Sequence, residues 1–455
     1  MSVKHDFDSK LNPKKYRHTI CIAILLAILA FSLRIAYQNN TVPDAPVRAD
    51  AISYVSAAYN LAHFGVYSTK PPTVENKAPP PDNERTPGYP LFLYPFFKFS
   101  DTPHQAIEHV FIAQAIVGTL TVVLSFLLAR LFWGYGYASI IGLLVAITPQ
   151  LITLEYNLLT ETLFTFIQLA AVYTLVLAFR IGGWRLVFLA GIFFGFAALT
   201  RPIAMLAGPL VALSILFVGN RARHLLPNRY TTFLILLTGF LICQAPYYLR
   251  NHITLGDPFA GTSLANHSFL QGTYPNLTHH KWYGYPYRED KLYNQMIADP
   301  AFEIEVLTDR FTNDPWKYIN WYLFGKLKTM WQWDLAPGGY KDVYVYPMKH
   351  DPFKSHPLLN KIRTFLLSMH MPICIIALLG FATYFVKLFK VDSLQSILLL
   401  PIFTTLVYNI GLLIIMFPLP RYTVPLRPFL YLFAGYAIAV TLSKATNIIS
   451  ATRRR

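Results

Sequence analysis

Charge is scarce in this chain. Charged residues make up 14% of it, against roughly 25% in an average soluble domain. Hydrophobic residues reach 54% and aromatic ones 15%, which excludes a soluble globular protein and implies a polytopic membrane protein. Cysteine is nearly absent. Cys21, Cys243 and Cys374 lie far apart, in or beside apolar runs, so neither a disulfide framework nor a cysteine zinc site is expected. The sequence also lacks a glycine-rich phosphate loop, a His-x-x-x-His pair and any carboxylate cluster with metal-ligand spacing. No soluble nucleotide site and no cofactor follow from it, although a divalent metal stays open. Its 39 Lys and Arg exceed its 23 Asp and Glu, but no basic helix has nucleic-acid spacing. Membrane proteins collect such residues in cytoplasmic loops, so nucleic acid is not an expected partner.

What is present is a series of apolar runs of about 20 residues, the length that spans a bilayer. The first, 20–37, follows a basic amino terminus with no small-x-small cleavage site, and reads as an uncleaved signal anchor. Arg34 is expected to snorkel from it to the far interface. Others lie near 106–130, 137–154, 161–179, 186–200, 203–219, 230–246, 364–386, 395–417 and 428–443. The chain thus divides into a cytoplasmic tail and anchor (1–37), a first outer loop (38–105), a transmembrane bundle (106–246), a long outer loop (247–363) and carboxy-terminal transmembrane helices with a cytoplasmic tail (364–455). Basic connections at Arg180 to Arg185, Arg221 to Arg229 and Lys387 to Lys390, with the tail from Lys444, predict both termini in the cytoplasm.

The opposite face carries the variety. Pro71, Pro72, Pro79, Pro80, Pro81 and Pro87 predict a flexible flap. In the long loop, 290–298, 300–312 and 315–333 read as helices, with Asp299 and Asp314 as caps before prolines. The last, with Trp316, Trp321, Trp331 and Trp333, suits an interfacial helix.

Asp50 opens an amphipathic helix, with Ala51, Tyr54, Val55, Ala58 and Ala62 at helical spacing, Ser53, Ser56, Asn60 and His63 as a polar stripe, and Gly65 as the stop. Its carboxylate is either an ordinary cap or a positioned base. Glu161, with Glu155 before it, opens a span and has the same two readings. Arg201, Arg250 and Arg421 each stand at the outer end of an apolar run, at headgroup depth, where orientation does not require them. One such residue is an interfacial arginine; several at one depth suit bidentate recognition of a lipid-borne phosphate. His63, His252, His267, His279 and His280 are scattered surface residues. Asp6 and Asp8 lie in a tail with no fold around them. Asp44 precedes Asp50 by six positions, and Asn39, Asn266 and Asn276 begin glycosylation sequons.

The ordered set Asp50 to Tyr54 with Asn60-Leu61 and Gly65, Arg85-Thr86-Pro87-Gly88-Tyr89-Pro90, Thr160-Glu161-Thr162-Leu163-Phe164, Leu199-Thr200-Arg201-Pro202 and Arg421-Tyr422 resembles a known family. This is the group of GT-C glycosyltransferases that use polyprenyl-phosphate sugars, including protein O-mannosyltransferases and lipid A aminoarabinose transferases. The resemblance implies an all-α, GT-C-like bundle of about ten transmembrane helices with interfacial helices and a large outer loop. It implies an inverting transfer with Asp50 as base and Glu161 as its partner. Arg201 and Arg421, with Arg250, Arg85 and Tyr54, would hold the substrate and its lipid phosphate. Where family members often carry a second acid after the first, this chain has Ala51. The expected partners are a polyprenyl-phosphate-sugar donor, membrane lipid, and a glycan, lipid or protein acceptor, at a bacterial inner membrane with the site outside. A transporter or flippase for lipid-linked sugars, and a polymerase or ligase using a lipid diphosphate, are the rival readings. Charges gathered at one face argue against a transporter, whose charges lie near the midplane.

Overall fold

The computed structural model describes residues 13–43, 45–72, 77–217, 228–260, 264–275, 277, 285–336, 348–388 and 394–452. Asp6, Asp8, Asp44, Asn276, His279 and His280 lie outside them, as does most of the connection Arg221 to Arg229.

Among the described residues the chain is a helical bundle with a single short strand pair. Among the described residues seven helices are long and apolar enough to cross a membrane: Tyr16–Asn39, Pro103–Arg130, Glu161–Ile181, Arg229–Leu255, Pro357–Lys387, Ser396–Ile415 and Pro420–Ser443. Three shorter apolar helices, Tyr135–Ile147, Trp184–Thr200 and Pro202–Leu216, occupy the other expected spans. The predicted span 137–154 breaks at Thr148, and a second short helix begins with Pro149 at its first position, where a missing N–H costs nothing. The predicted span 230–246 instead continues through Pro246 to Leu255, carrying Arg250 on regular helix.

Glu161–Ile181 is the hub. Its most apolar window is 83% buried, against 22% for Tyr16–Asn39 and Pro357–Lys387 at the periphery. It packs against Pro103–Arg130, Trp184–Thr200 and Leu394–Ile415. Glu161, its first residue, therefore emerges at the centre of one end of the bundle.

Arg34 does not snorkel. Its side chain is 2% exposed, and its Nε lies 2.7 Å from Oε2 of Glu155, itself 6% exposed. Arg34 Nη1 also donates to the carbonyls of Ala30 and Ala146. A carboxylate within the bundle offers more to a guanidinium than a long reach to the interface, because each ion would otherwise be buried unpaired. Gly118 makes room for the pair: a Cβ there would lie 2.0 Å from Glu155 Oε1.

The outer segments are tied to that end of the bundle. Val42–Pro43 pairs antiparallel with Met348–His350. Asp299 accepts from the amides of Ala301 and Phe302, and Asp314 from that of Lys317, so both act as the expected caps. The tryptophans do not form one interfacial stripe. Trp316 is exposed, but Trp333 is buried and Trp321 is buried with its Nε1 donating to Gly272 O at 3.0 Å. Lys326, fully buried, donates to the carbonyls of Ile414, Ile415 and Met416 at 2.7, 3.2 and 3.0 Å. It thereby caps the end of the helix Leu394–Ile415, where carbonyls lack intrahelical donors.

Candidate active site

Asp50 caps nothing. The helix runs Asp50–Phe64 with Asp50 as its first residue, and the preceding Ala49 adopts φ 47°, the only positive φ outside glycine among the described residues. A non-glycine residue in that region is strained. The turn directs the Asp50 carboxylate out of the helix, and it is taken by two arginines. Arg85 Nη2 donates to Oδ1 at 3.0 Å, and Arg421 Nη2 to Oδ2 at 2.6 Å.

Arg85 is delivered by the proline-rich segment, whose described parts are pinned by side chains. Asp82 accepts from the Ser68 hydroxyl and from the amide and hydroxyl of Thr69. Tyr67 donates to the carbonyl of Arg85. Asn60, placed by sequence on a polar stripe, is fully buried and donates to the carbonyls of Ser68 and Lys70. Arg250 belongs to this anchor. Its guanidinium donates to the carbonyls of Asp82 and Tyr67 at 2.9 and 3.0 Å, so it fixes the segment and does not line the site. Further along, Gly88 lies against the end of the helix Trp184–Thr200: a Cβ there would stand 2.6 Å from Leu199 C and Thr200 N. That contact brings the segments bearing Arg85 and Arg201 to the same cleft.

Arg201 follows the last residue of its helix in extended conformation. Its Nη1 lies 3.1 Å from Oε1 of Glu161 and has no hydrogen-bond acceptor. Its guanidinium rests over the rings of Tyr422 and Phe164, at 4.7 and 5.6 Å. Arg421, at the start of the 3-10 segment Pro420–Leu426, joins the two acids, since its Nε is also 3.8 Å from Glu161 Oε1. Tyr54, one turn after Asp50, lies under Arg85 at 5.1 Å.

Six of the seven residues singled out by sequence, Asp50, Tyr54, Arg85, Glu161, Arg201 and Arg421, thus line one cleft of about 220 Å³. Sequence reading missed Glu84 and Thr86, which line it too, and Asp82, which organises Arg85. One side of the cleft is apolar, formed by Ile203, Leu412, Leu413, Met416 and Phe417. Asp50 feels opposing influences: burial pushes its carboxyl upward, but Arg421 and Arg85 together outweigh it and bring it to about 2. His63 is exposed, its ring tilted against that of Tyr59 at 4.2 Å, and it does not line the cleft. Among the described residues no three His, Cys, Asp or Glu side chains are grouped to hold a metal ion.

Residues 84–249 match the family of dolichyl-phosphate-mannose-protein mannosyltransferases. That span contains Arg85, Glu161 and Arg201, while Asp50 and Arg421 lie on either side of it. No curated protein matches the chain. Among solved structures, the Archaeoglobus fulgidus oligosaccharyltransferase in its apo form is similar at 15% identity and a TM-score of 0.51, covering 96% of this chain and 52% of its own. The same organism's enzyme AglB, in complex with an inhibitory peptide and a dolichol-phosphate, gives 14% identity and a TM-score of 0.50, covering 97% and 52%. A third structure of that oligosaccharyltransferase, complexed with Zn and sulfate, gives 16% and 0.51, covering 93% and 49%. The chain spans about half the length of these structures. It has their GT-C-like fold and is an integral membrane protein.

Proposed function

We propose that the protein is a glycosyltransferase that moves a sugar from a polyprenyl monophosphate to an acceptor on the extracytoplasmic face, with inversion. The carrying observation is the Asp50 carboxylate, presented at the start of a helix between Arg85 and Arg421 at a cleft with one apolar side. Arginine forks suit a phosphate, the apolar side suits the first isoprene units, and an acid beside both is within reach of an acceptor hydroxyl. Asp50 removes the acceptor proton as the acceptor oxygen bonds to the anomeric carbon. The bond from that carbon to the phosphate oxygen breaks, and its electron pair stays on the phosphate, held by Arg201, Arg421 and Arg85. Glu161 holds Arg201 and Arg421 in register, and Tyr54 supports Arg85. Neutralisation at Asp50 comes from guanidinium groups.

The similar archaeal enzyme captured with a dolichol-phosphate and a peptide supports a lipid-phosphate donor and leaves glycan, lipid and protein acceptors as the classes to compare. Basic connections and tail orient both termini to the cytoplasm by the positive-inside bias. A bacterial plasma membrane is the proposed setting.

The test is incubation of purified protein with defined polyprenyl-phosphate and polyprenyl-diphosphate sugars. Transfer from the monophosphate alone is expected. Transfer from the diphosphate alone would make the protein a ligase or polymerase, and translocation without chemistry would make it a transporter. In the competent reaction Asp50→Asn is expected to lose about a hundredfold to ten-thousandfold in rate, the usual contribution of a positioned base. Near-normal turnover in that variant would sink the assignment.

A further inference from the structure

Each arginine of the cleft stands within ion-pair distance of a carboxylate. Arg85, Arg201 and Arg421 share the cleft with Asp50, Glu161 and Glu84, so its positive charges are matched in number by carboxylates. An entering phosphate is accepted at low cost only by drawing a guanidinium away from a carboxylate, because a buried anion without its own counter-charge is strongly unfavourable.

The two acids bound to arginine differ in how readily they yield. Glu161 is 3% exposed, at the head of the hub helix with Arg201 and Arg421 upon it. Asp50 is 31% exposed, and each of its oxygens is held by an arginine that itself reaches solvent. The exchange therefore falls at Asp50. Its surroundings are Arg85 from the proline-rich segment, Arg421 from the 3-10 segment with Arg201 and Glu161 behind it, Tyr54 on its own helix and Tyr287 from the outer loop.

We propose that Arg85 and Arg421 form a mask over Asp50 that the donor phosphate removes, making proton abstraction conditional on donor binding. This rests on the reading of Asp50 as base and the cleft as a lipid-phosphate site. With the phosphate absent, both carboxylate oxygens are spent on guanidinium donors and the group is a poor proton acceptor. With the phosphate bound, the guanidinium groups turn to it and the carboxylate regains basicity. As the acceptor proton arrives on Asp50, the sugar-oxygen bond to phosphate breaks and the phosphate goes from one negative charge to two. Charge in the cleft is conserved, and the arginines end on the group that has gained it. The chemistry is thereby ordered: the donor must be in place before the acceptor can be deprotonated.

The experiment measures Asp50 directly. Full-length protein in detergent is treated with a carbodiimide, which activates protonated carboxyl groups, and modification of the Asp50 peptide is read by mass spectrometry at pH 5. The probe is farnesyl phosphate, with farnesol as control, and binding of radiolabelled farnesyl phosphate is measured by equilibrium dialysis. A return of Asp50 from about 2 to its ordinary 3.8 raises its protonated fraction at pH 5 by about sixtyfold, so a rise in labelling of at least about fivefold is expected at saturation. Arg85→Met, which removes half of the mask, is expected to raise labelling without any phosphate. Normal binding with unchanged labelling, or an equal rise with farnesol, overturns the mask and leaves the proposed function standing. Absence of saturable binding overturns both. Where Arg85→Met does not fold, the wild-type titration decides alone.

Discussion

Replacing Gly88 with alanine tests whether the site is assembled by backbone contact between segments distant in sequence. Two effects oppose each other. Gly88 is the first residue of the helix Gly88–Phe99, where alanine would lose less conformational freedom on folding than glycine if the site were open. The added Cβ would instead stand 2.6 Å from Leu199 C and Thr200 N and 2.7 Å from Leu199 O. These are backbone atoms that cannot rotate aside. Overpacking of this kind costs about 1–3 kcal/mol, so destabilisation is expected to win. The displacement needed to restore ordinary contact is about 0.8 Å, and misplacement on this scale costs on the order of a hundredfold in rate. The parts displaced are the ends of the segments bearing Arg85 and Arg201, neither of which is altered chemically. The assay is sugar transfer from a polyprenyl-phosphate donor by purified Gly88→Ala, beside Leu91→Ala on an exposed position of the same helix. Loss of about a hundredfold in Gly88→Ala with little change in Leu91→Ala is expected. Turnover near wild type in Gly88→Ala, with the protein inserted and folded, would refute the argument.

Two further outcomes follow from the ion pairs. Glu155→Leu alone leaves the Arg34 guanidinium buried without its carboxyl partner and is expected to cost about 3–5 kcal/mol, whereas adding Arg34→Met should recover most of it; thermal unfolding in detergent checks this, and Glu155→Leu as stable as wild type would refute it. The depressed Asp50 carboxyl, at about 2 against an ordinary 3.8, contributes stability that is fully present above 3.8 and lost as pH falls toward 2. The difference in Tm between wild type and Asp50→Asn should therefore be constant from about pH 5 to 8, and a gap that narrows within that window would contradict it.

The helices and the cleft residues were legible in the sequence to different depths, for physical reasons. Apolar run length is a local property, so the ten apolar helices of the described residues fall where hydropathy puts them, apart from the break at Pro149 and the helix that runs on through Pro246 to Leu255. Arginines at the outer ends of apolar runs were visible as a class, and sequence-order resemblance tied Asp50, Glu161, Arg201 and Arg421 together. Sequence could not tell Arg250 from Arg85. Both are arginines of the expected outer face, and only the fold brings Arg250 onto the carbonyls of Tyr67 and Asp82 and Arg85 onto Asp50. Arg34 was misread for the same reason. Its partner Glu155 lies 121 positions away in the chain, and nothing local distinguishes a paired arginine from one at the interface.

The residue after Asp50 shows how tertiary packing reshapes a local motif. Ala51 is fully buried in the main apolar core of the bundle, pointing away from the cleft that Asp50 faces. An acid there would enter that core without a counter-ion, at a desolvation cost no neighbour repays. The second acid of the site comes instead from the hub helix. Glu161 reaches Asp50 through Arg421, whose Nη2 holds one carboxylate at 2.6 Å while its Nε stands 3.8 Å from the other. Adjacent acids on one helix would repel and would raise each other's proton affinity. Acids separated by a guanidinium are spared that direct repulsion. In the proposed mechanism the more exposed of the two, Asp50, is the one whose release also sets a base free beside the donor.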